Sequence, residues 1–293
     1  MDPRFTADLT LDEFRLIREL TPDLEVPPAI EVGGFGGDSA QSDARRRSAR
    51  ESLTLNQLVG GDDQLVHPLL VLALSMPMGP EHAIQVQSWT PGTSSQTVIS
   101  VIGGLMSSIT VTLDRSKDAA STDPRTALVG VVHVSLGDLG RIIESIQGLL
   151  EGSAAVPDRV VPATFQIGLV ESRSLIDGIR TGDVAVVDKL ATMFSAHDAV
   201  PLLRSLASTM ESGVRIRASD PAGPRYCADW VQTSTGEWVG FRILGSPQLG
   251  ADPSAQAIMD EARVELTRRR TPTFVADVLS LASSYALEGA RVE

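Results

Sequence analysis

Cysteine is almost absent from this chain of 293 residues: Cys227 stands alone. An internal disulfide and a CxxC metal-binding pair are therefore both excluded. Histidine is nearly as sparse, and His67, His82, His133 and His197 are scattered singly without an HExxH spacing, so no zinc site is expected. Aromatic residues make up 4% of the chain, and only two of its 25 basic residues are lysines, Lys117 and Lys189. Set against 37 acidic residues, these cations leave a net charge of −12. A field of that sign repels phosphate backbones and anionic headgroups, which argues against nucleic acid and membrane surfaces as partners. Long apolar runs are missing too. The longest, PLLVLALSMPM from Pro68 to Met78, falls far short of the roughly 20 residues needed to span a bilayer and reads as a buried helix. The opening MDPRFTADLTLDEF has neither the basic nor the apolar region of a signal peptide, and a reducing cytoplasm is the expected location.

What is present is patterning. With 42% hydrophobic residues the chain can bury a substantial core. Thr10 to Glu13, TLDE, has capping-box spacing, and Leu11, Phe14, Ile17 and Leu20 follow at helical intervals. The fold is expected to start with this short helix. EVPPAIEVGGFGGDSAQSD carries no period and little to bury, and reads as a mobile loop. Helices are predicted from Asp43 and over the apolar run. From His82 onward, AIQVQSW, QTVISVIGG, SSITVTLD and RTALVGVVHVS alternate like strands and are separated by turn residues, the signature of a four-stranded antiparallel meander. LGDLGRIIESIQGLLEG returns to helical spacing, and GSAAVPDRVVP breaks it.

The second part repeats the plan. TFQIGLV reads as a strand, three helices follow through Met210, and GVRIRAS, PRYCADWVQT and GEWVGFRIL read as strands. Two closing helices are predicted from the Asp252-Pro253 and Thr271-Pro272 caps, with Arg268, Arg269 and Arg270 at the end of the first. The expected architecture is α+β, because helices and strands are grouped rather than alternating. It has two pseudo-symmetric halves, 1–152 and 153–293, each an antiparallel sheet with flanking helices, forming one compact unit.

No local motif announces chemistry. VGGFGGDS lacks the lysine of a phosphate loop and is preceded by Pro27-Pro28 rather than a strand. GGDSAQ and GTSSQT lack the second glycine of a nucleophile elbow. Cys227 lies in a predicted strand with no base beside it. His197 and Asp198 are adjacent in sequence, which does not orient a carboxylate toward a ring, and they read as a helix start. No catalytic, cofactor or metal residue is assigned, and the chain is expected not to be an enzyme.

The most distinctive stretch, CADWVQTSTGEWVGF, holds two of the three tryptophans and the cysteine. A two- or four-residue turn would place Trp230 and Trp238 on opposite sheet faces, leaving one outward as an anchor for a protein partner. A three- or five-residue loop, or a bulge, would place them on one face.

The order of LTLDEFRLIREL, RRRSARESLTLNQLVGGDDQLVHPLLVLALSMP followed by AIQVQSW, and GVRIRAS with CADWVQTSTGEWVGF resembles the EspG family, cytosolic chaperones of type VII (ESX) secretion in mycobacteria and related actinobacteria. The resemblance implies a chaperone that binds the helical tip of a PPE protein paired with a PE protein and keeps it soluble before export. Within it, the partner-binding surface would use the sheet around Trp89 and Trp238, with Thr90 and Phe241, and the loops at Pro91–Ser95 and Arg115–Pro124, including Lys117. A different reading is a small-molecule-binding or enzymatic α+β protein with a pocket between the halves. A homo-oligomer, with an apolar sheet face covered by a second copy, is a third.

Overall fold

The computed structural model of the chain describes residues 5–27, 30, 32–35, 38–60, 66–78, 83–90, 92–102, 105–114, 129–137, 163–208, 213–220, 223–233, 237–244, 254, 261–269, 276 and 280. The expected helix after Leu139 and the break near 152–162 lie outside the described residues, as do Arg115 and Lys117. The fold class is α+β, with helices beside antiparallel strands. The chain divides into two compact units.

The first unit holds strand β1 (Phe5–Thr10), helices α1 (Leu11–Leu20), α2 (Ser39–Leu55) and α3 (Pro68–Ser75), and strands β2 (Ala83–Trp89), β3 (Thr93–Ile102), β4 (Leu105–Asp114) and β5 (Val129–Gly137). Its strands lie in the order β1-β5-β4-β3-β2. The predicted meander is thus present, and β1 closes onto its last strand with Ala7 opposite Val134 and Leu9 opposite Val132.

A strand, not a helix, therefore starts the described chain. Phe5, Ala7 and Leu9 point to one face with period two, a signal too short to stand out before the stronger helical one. The capping box is as predicted: the Thr10 N–H donates to Glu13 Oε2 at 2.6 Å and the Glu13 N–H to Thr10 Oγ1 at 3.2 Å. It turns strand into helix with no intervening loop, satisfying two donors at the helix start. Leu11, Phe14 and Ile17 are buried, with Leu20 packed at the edge of the same core.

The segment read as a mobile loop is corrected by its burial. Val26, Ile30 and Val32 join the core of the first unit, beside Leu24 just before it. Polar contacts tie the same stretch to its surroundings. The Arg15 Nε donates to the Gly33 carbonyl at 2.7 Å, and Arg46 and Arg45 lie over the Phe35 ring at 4.8 and 5.7 Å. Helix α2 starts at Ser39 behind the Asp38 cap, earlier than the Asp43 start read from sequence.

Asp12 holds these pieces together. Arg45 reaches both its oxygens, at 2.8 and 2.5 Å, and Arg15 reaches Oδ1 at 2.8 Å. Burial opposes ionisation of Asp12, but the hydrogen bonds and charges of Arg45 and Arg15 outweigh it and hold the carboxyl below its usual range. Arg15 is 4% exposed, and its guanidinium donates to this carboxylate and to the Gly33 carbonyl.

The second unit holds β6 (Ala163–Gly168), α4 (Leu169–Thr181), α5 (Val184–Met193), α6 (Val200–Ser208), half of β7 (Gly213–Asp220), most of β8 (Gly223–Gln232), then β9 (Trp238–Leu244) and β10 (Arg263–Arg269). The ends of β7 and β8, Arg217–Arg225, group with the first unit. The strand order β7-β8-β9-β10-β6 has the same connectivity as the first unit: an opening strand, helices, then four strands whose last one pairs with the opening strand. The strand-to-helix junction recurs as well. Gly168 caps α4, and the Glu171 carboxylate folds back so closely that a Cβ on Gly168 would overlap it.

Helix α4 ends at Gly182, whose φ of 74° is left-handed, and Asp183 immediately caps α5 by accepting from the Val186 N–H. A short helical turn, His197–Ala199, leads into α6, as the His197-Asp198 reading expected. Val200, Leu203 and Leu206 form the predicted buried stripe of α6, and Leu202 is buried with them. Met210 lies outside the described residues.

The first closing helix needs correction at its end; Glu261, Ala276 and Ser280 are helical, and most of both predicted helices lies outside the described residues. Arg263–Arg269 is a strand between β9 and β6, with Val264 and Leu266 turned into the core. Arg268 and Arg269 are therefore strand residues and do not end a helix. Val-Glu-Leu-Thr alternates, but the Asp252-Pro253 cap and the helix-favouring composition masked it.

Replacing Asp12 by asparagine is expected to destabilise the folded chain by about 2 kcal/mol at neutral pH, the scale of a hydrogen bond to a charged group. The folded pKa of Asp12 is depressed, so its contribution is present above the unfolded pKa and is lost as pH falls below about 4. Denaturant titrations at several pH values should show the difference between Asp12→Asn and wild type narrowing in acid. A constant difference would contradict the assignment.

Candidate protein-docking surface

Strands β2 and β3 form a hairpin with Trp89 opposite Ser94. The Thr90 N–H donates to the Thr93 carbonyl at 2.8 Å, which closes the turn around Pro91-Gly92. Hydroxyls lock it from the side. The Thr93 N–H donates to Thr90 Oγ1 at 3.1 Å, the two threonine hydroxyls lie 2.8 Å apart, and Ser88 and Ser95 share a bond of 2.6 Å across the strands. Thr90 is exposed and Trp89 is half-buried.

The register extends this end of the sheet into a row. Ser94 opposes Leu113, and Leu113 opposes Gly130. A Cβ on Gly130 would lie 2.4 Å from the Thr112 carbonyl and 3.3 Å from Leu11, so glycine lets the row tuck under the start of α1. Trp89, Leu113 and Leu11 thus run from the hairpin tip toward the first helix on the face that carries the core. Behind them lies a row with Gln87 and Gln96 on β2 and β3, both half-buried. The site offers an aromatic, an aliphatic and uncharged hydroxyls and amides. That chemistry suits a surface where an apolar partner is received without desolvating charge.

The other expected residues fall elsewhere. Gln232 opposes Trp238 and Trp230 opposes Gly240, so Thr233–Glu237 is a five-residue loop. It is closed by the Thr233 N–H to the Glu237 carbonyl at 2.8 Å and the Glu237 N–H to Thr233 Oγ1 at 3.1 Å. The two tryptophans accordingly share one face, as an odd loop requires, and both are buried, at 6% and 4% exposure. Trp238 is not an outward anchor in this chain. Phe241 lies on the opposite face of the same hairpin, packed against the core under the helices. Trp89 and Thr90 belong to the first unit, Trp238 and Phe241 to the second. Arg115 and Lys117 lie outside the described residues.

Gly240 explains how the buried pair fits. A Cβ there would come within 2.8 Å of three atoms of the Trp230 ring, so the indole lies flat on a bare backbone. Beside it, Arg215 of β7 donates to Asp229 of β8 through two bonds of 2.5 and 2.7 Å. The hydrogen bond to Asp229, opposed by burial, raises the Arg215 pKa. Cys227 is exposed on the same strand.

The histidines have local structural contacts. His67 caps α3, its Nδ1 lying 3.3 Å from the Leu69 N–H, and stacks on Phe5 at 5.1 Å. His133 Nδ1 lies 2.6 Å from Asp8 Oδ1 across strands. His197 Nε2 lies 3.3 Å from the Thr192 hydroxyl. His82 is outside the described residues. Among the described residues no three histidine, cysteine or carboxylate groups gather as a metal site, and none of the helices is long and apolar enough to cross a membrane. A groove between α4, α5 and α6 is lined by Ile179, Val184 and Val187, with Asp183 and Arg204 as its charged residues. Asp183 is already engaged as a helix cap.

No family model matches the chain, and no curated protein matches it. Among solved structures, it is similar to a conserved hypothetical protein of Mycobacterium tuberculosis, described as essential for bacterial survival during infection and as having a double hotdog fold. That alignment covers 92% of this chain and 95% of the other at 12% identity, with a TM-score of 0.22, and it carries no argument about fold or function.

Two measurements check this geometry. Gly240→Ala should cost about 1–3 kcal/mol through overpacking against Trp230, read by chemical denaturation; an unchanged midpoint would contradict the contact. In acrylamide quenching of tryptophan fluorescence, Trp89→Phe should remove most of the quencher-accessible emission. A mutant that retains it would place the exposed indole elsewhere.

Proposed function

We propose that this chain is a cytoplasmic, non-enzymatic chaperone or adaptor that binds a helical type VII secretion substrate, a PE–PPE-like pair, and keeps it soluble before export. The observation that carries the reading is the β2–β3 hairpin tip, where a half-buried Trp89 and the exposed Thr90 stand on a turn locked by its own hydroxyls. A rigid aromatic beside a preorganised turn is what an interface anchor requires, because little side-chain freedom is lost on binding. The resemblance of the sequence to the EspG family supports the same reading and supplies the identity of the client.

A helical tip fits the chemistry of the row. An amphipathic helix presents apolar side chains at intervals of three and four residues, and an apolar strip with an amide border accepts such a face. The net charge of −12 favours a client whose docking segment is neutral or basic.

Co-expression of the chain with PE–PPE pairs is expected to yield a co-eluting complex with at least one pair. Trp89→Ala should then weaken the complex by more than about 1 kcal/mol, measured by calorimetry, with the fold unchanged by circular dichroism. Failure of every pair to co-elute would count against the client, and full affinity in a folded Trp89→Ala variant would remove the hairpin from the interface.

A further inference from the structure

We propose that the chain forms a two-fold symmetric dimer in which β6 pairs antiparallel with β6 of a second copy. The inference is independent of the client reading. Strand β6 stands at the end of its set, and among the described residues all its register partners lie on β10. One side of its backbone therefore carries donors and acceptors that no described strand satisfies, and an extended strand is the partner chemistry that satisfies them.

Natural edge strands are blunted by charge, proline or a bulge. The end strand of the first unit, β1, carries Asp8, whose side chain is 75% exposed. Strand β6, Ala-Thr-Phe-Gln-Ile-Gly, carries no charge and no proline, and its register with β10 runs without a bulge. Copies of a chain with net charge −12 repel one another, and an uncharged strand is where they approach at least cost.

The pattern of β6 also favours its own copy. A strand that pairs antiparallel with itself about a two-fold axis normal to the sheet, the axis passing at Phe165 or Gln166, places each residue opposite one of the same parity. Phe165 and Ile167 then stay on the helix-covered face in both copies, and the exposed Thr164 and Gln166 meet on the other. The apolar layer would continue across the junction. Phe165 is only half-buried against its core, and on an edge strand it lies where the second copy would cover it.

Size-exclusion chromatography with light scattering on the full chain tests this. The expected mass is twice the 31.1 kDa of the chain; a monomer throughout the soluble concentration range would overturn the proposal. Thr164→Lys, which faces the neutral Thr267 on β10, sets like charges near the axis on an exposed face and should give a monomer with an unchanged circular dichroism spectrum. The double variant Thr164→Lys/Gln166→Lys, with one lysine more than Glu265 can pair, serves as a second lysine variant. A dimer that persists in the folded lysine variant sits on another surface, and would equally overturn the proposal.

Discussion

The fold rests on one pairing made twice: the opening strand of each unit lies beside the last strand of the four that follow. In the first unit β1 meets β5, and in the second β6 meets β10. The chain between opening strand and meander must then leave the sheet and return to its far side, and it does so as helices packed on one face. That is why Ala7, Leu9, Val132, Val134, Ile109 and Val98 share a core with α1, α2 and α3, and why Ile167, Val264, Leu266, Val239 and Val231 share one with α4, α5 and α6. Both junctions from strand to helix need no loop, because a carboxylate at the third helical residue, Glu13 or Glu171, folds back on the cap.

The aromatics differ in burial rather than in their place along the hairpins. Trp89 ends β2 and is half-buried. Trp238 likewise borders its hairpin loop, yet it and Trp230 are buried, Trp230 against the bare backbone of Gly240. Charged contacts within the first unit do a different job. Asp12 joins Arg15 of its own helix to Arg45 of α2, and Arg15 in turn fixes the Gly33 carbonyl, so a segment poor in apolar residues is held by a few directional bonds.

Much of this was legible in the sequence, for physical reasons that also explain the failures. The β2–β5 meander, the apolar stripe of α6 and the Thr10 capping box are local patterns, and local patterns survive into the fold. Strands β1 and β10 are short, and their alternation competed with stronger helix signals on either side; only their pairing with β5 and β9 makes them strands. The loop over Val26, Ile30 and Val32 has no period because its contacts are made by tertiary neighbours. The hairpin holding Trp230 and Trp238 was undetermined by parity alone, since turn length sets the register and Thr233–Glu237 supplies five residues where four were equally compatible. At the candidate site, Trp89 and Thr90 were visible as a Trp-Thr-Pro-Gly turn, but Leu113 and Gly130 join them only through strand pairing across the meander.

The central claim is that the hairpin end of the first unit receives a helical partner. Hydrogen–deuterium exchange of the chain, alone and in complex with a co-purified PE–PPE-like pair, tests it most directly. The account predicts slowed exchange in residues 87–96 on binding, with the amides of α4 to α6 unchanged. An intact complex that leaves residues 87–96 exchanging as in the free chain would contradict it.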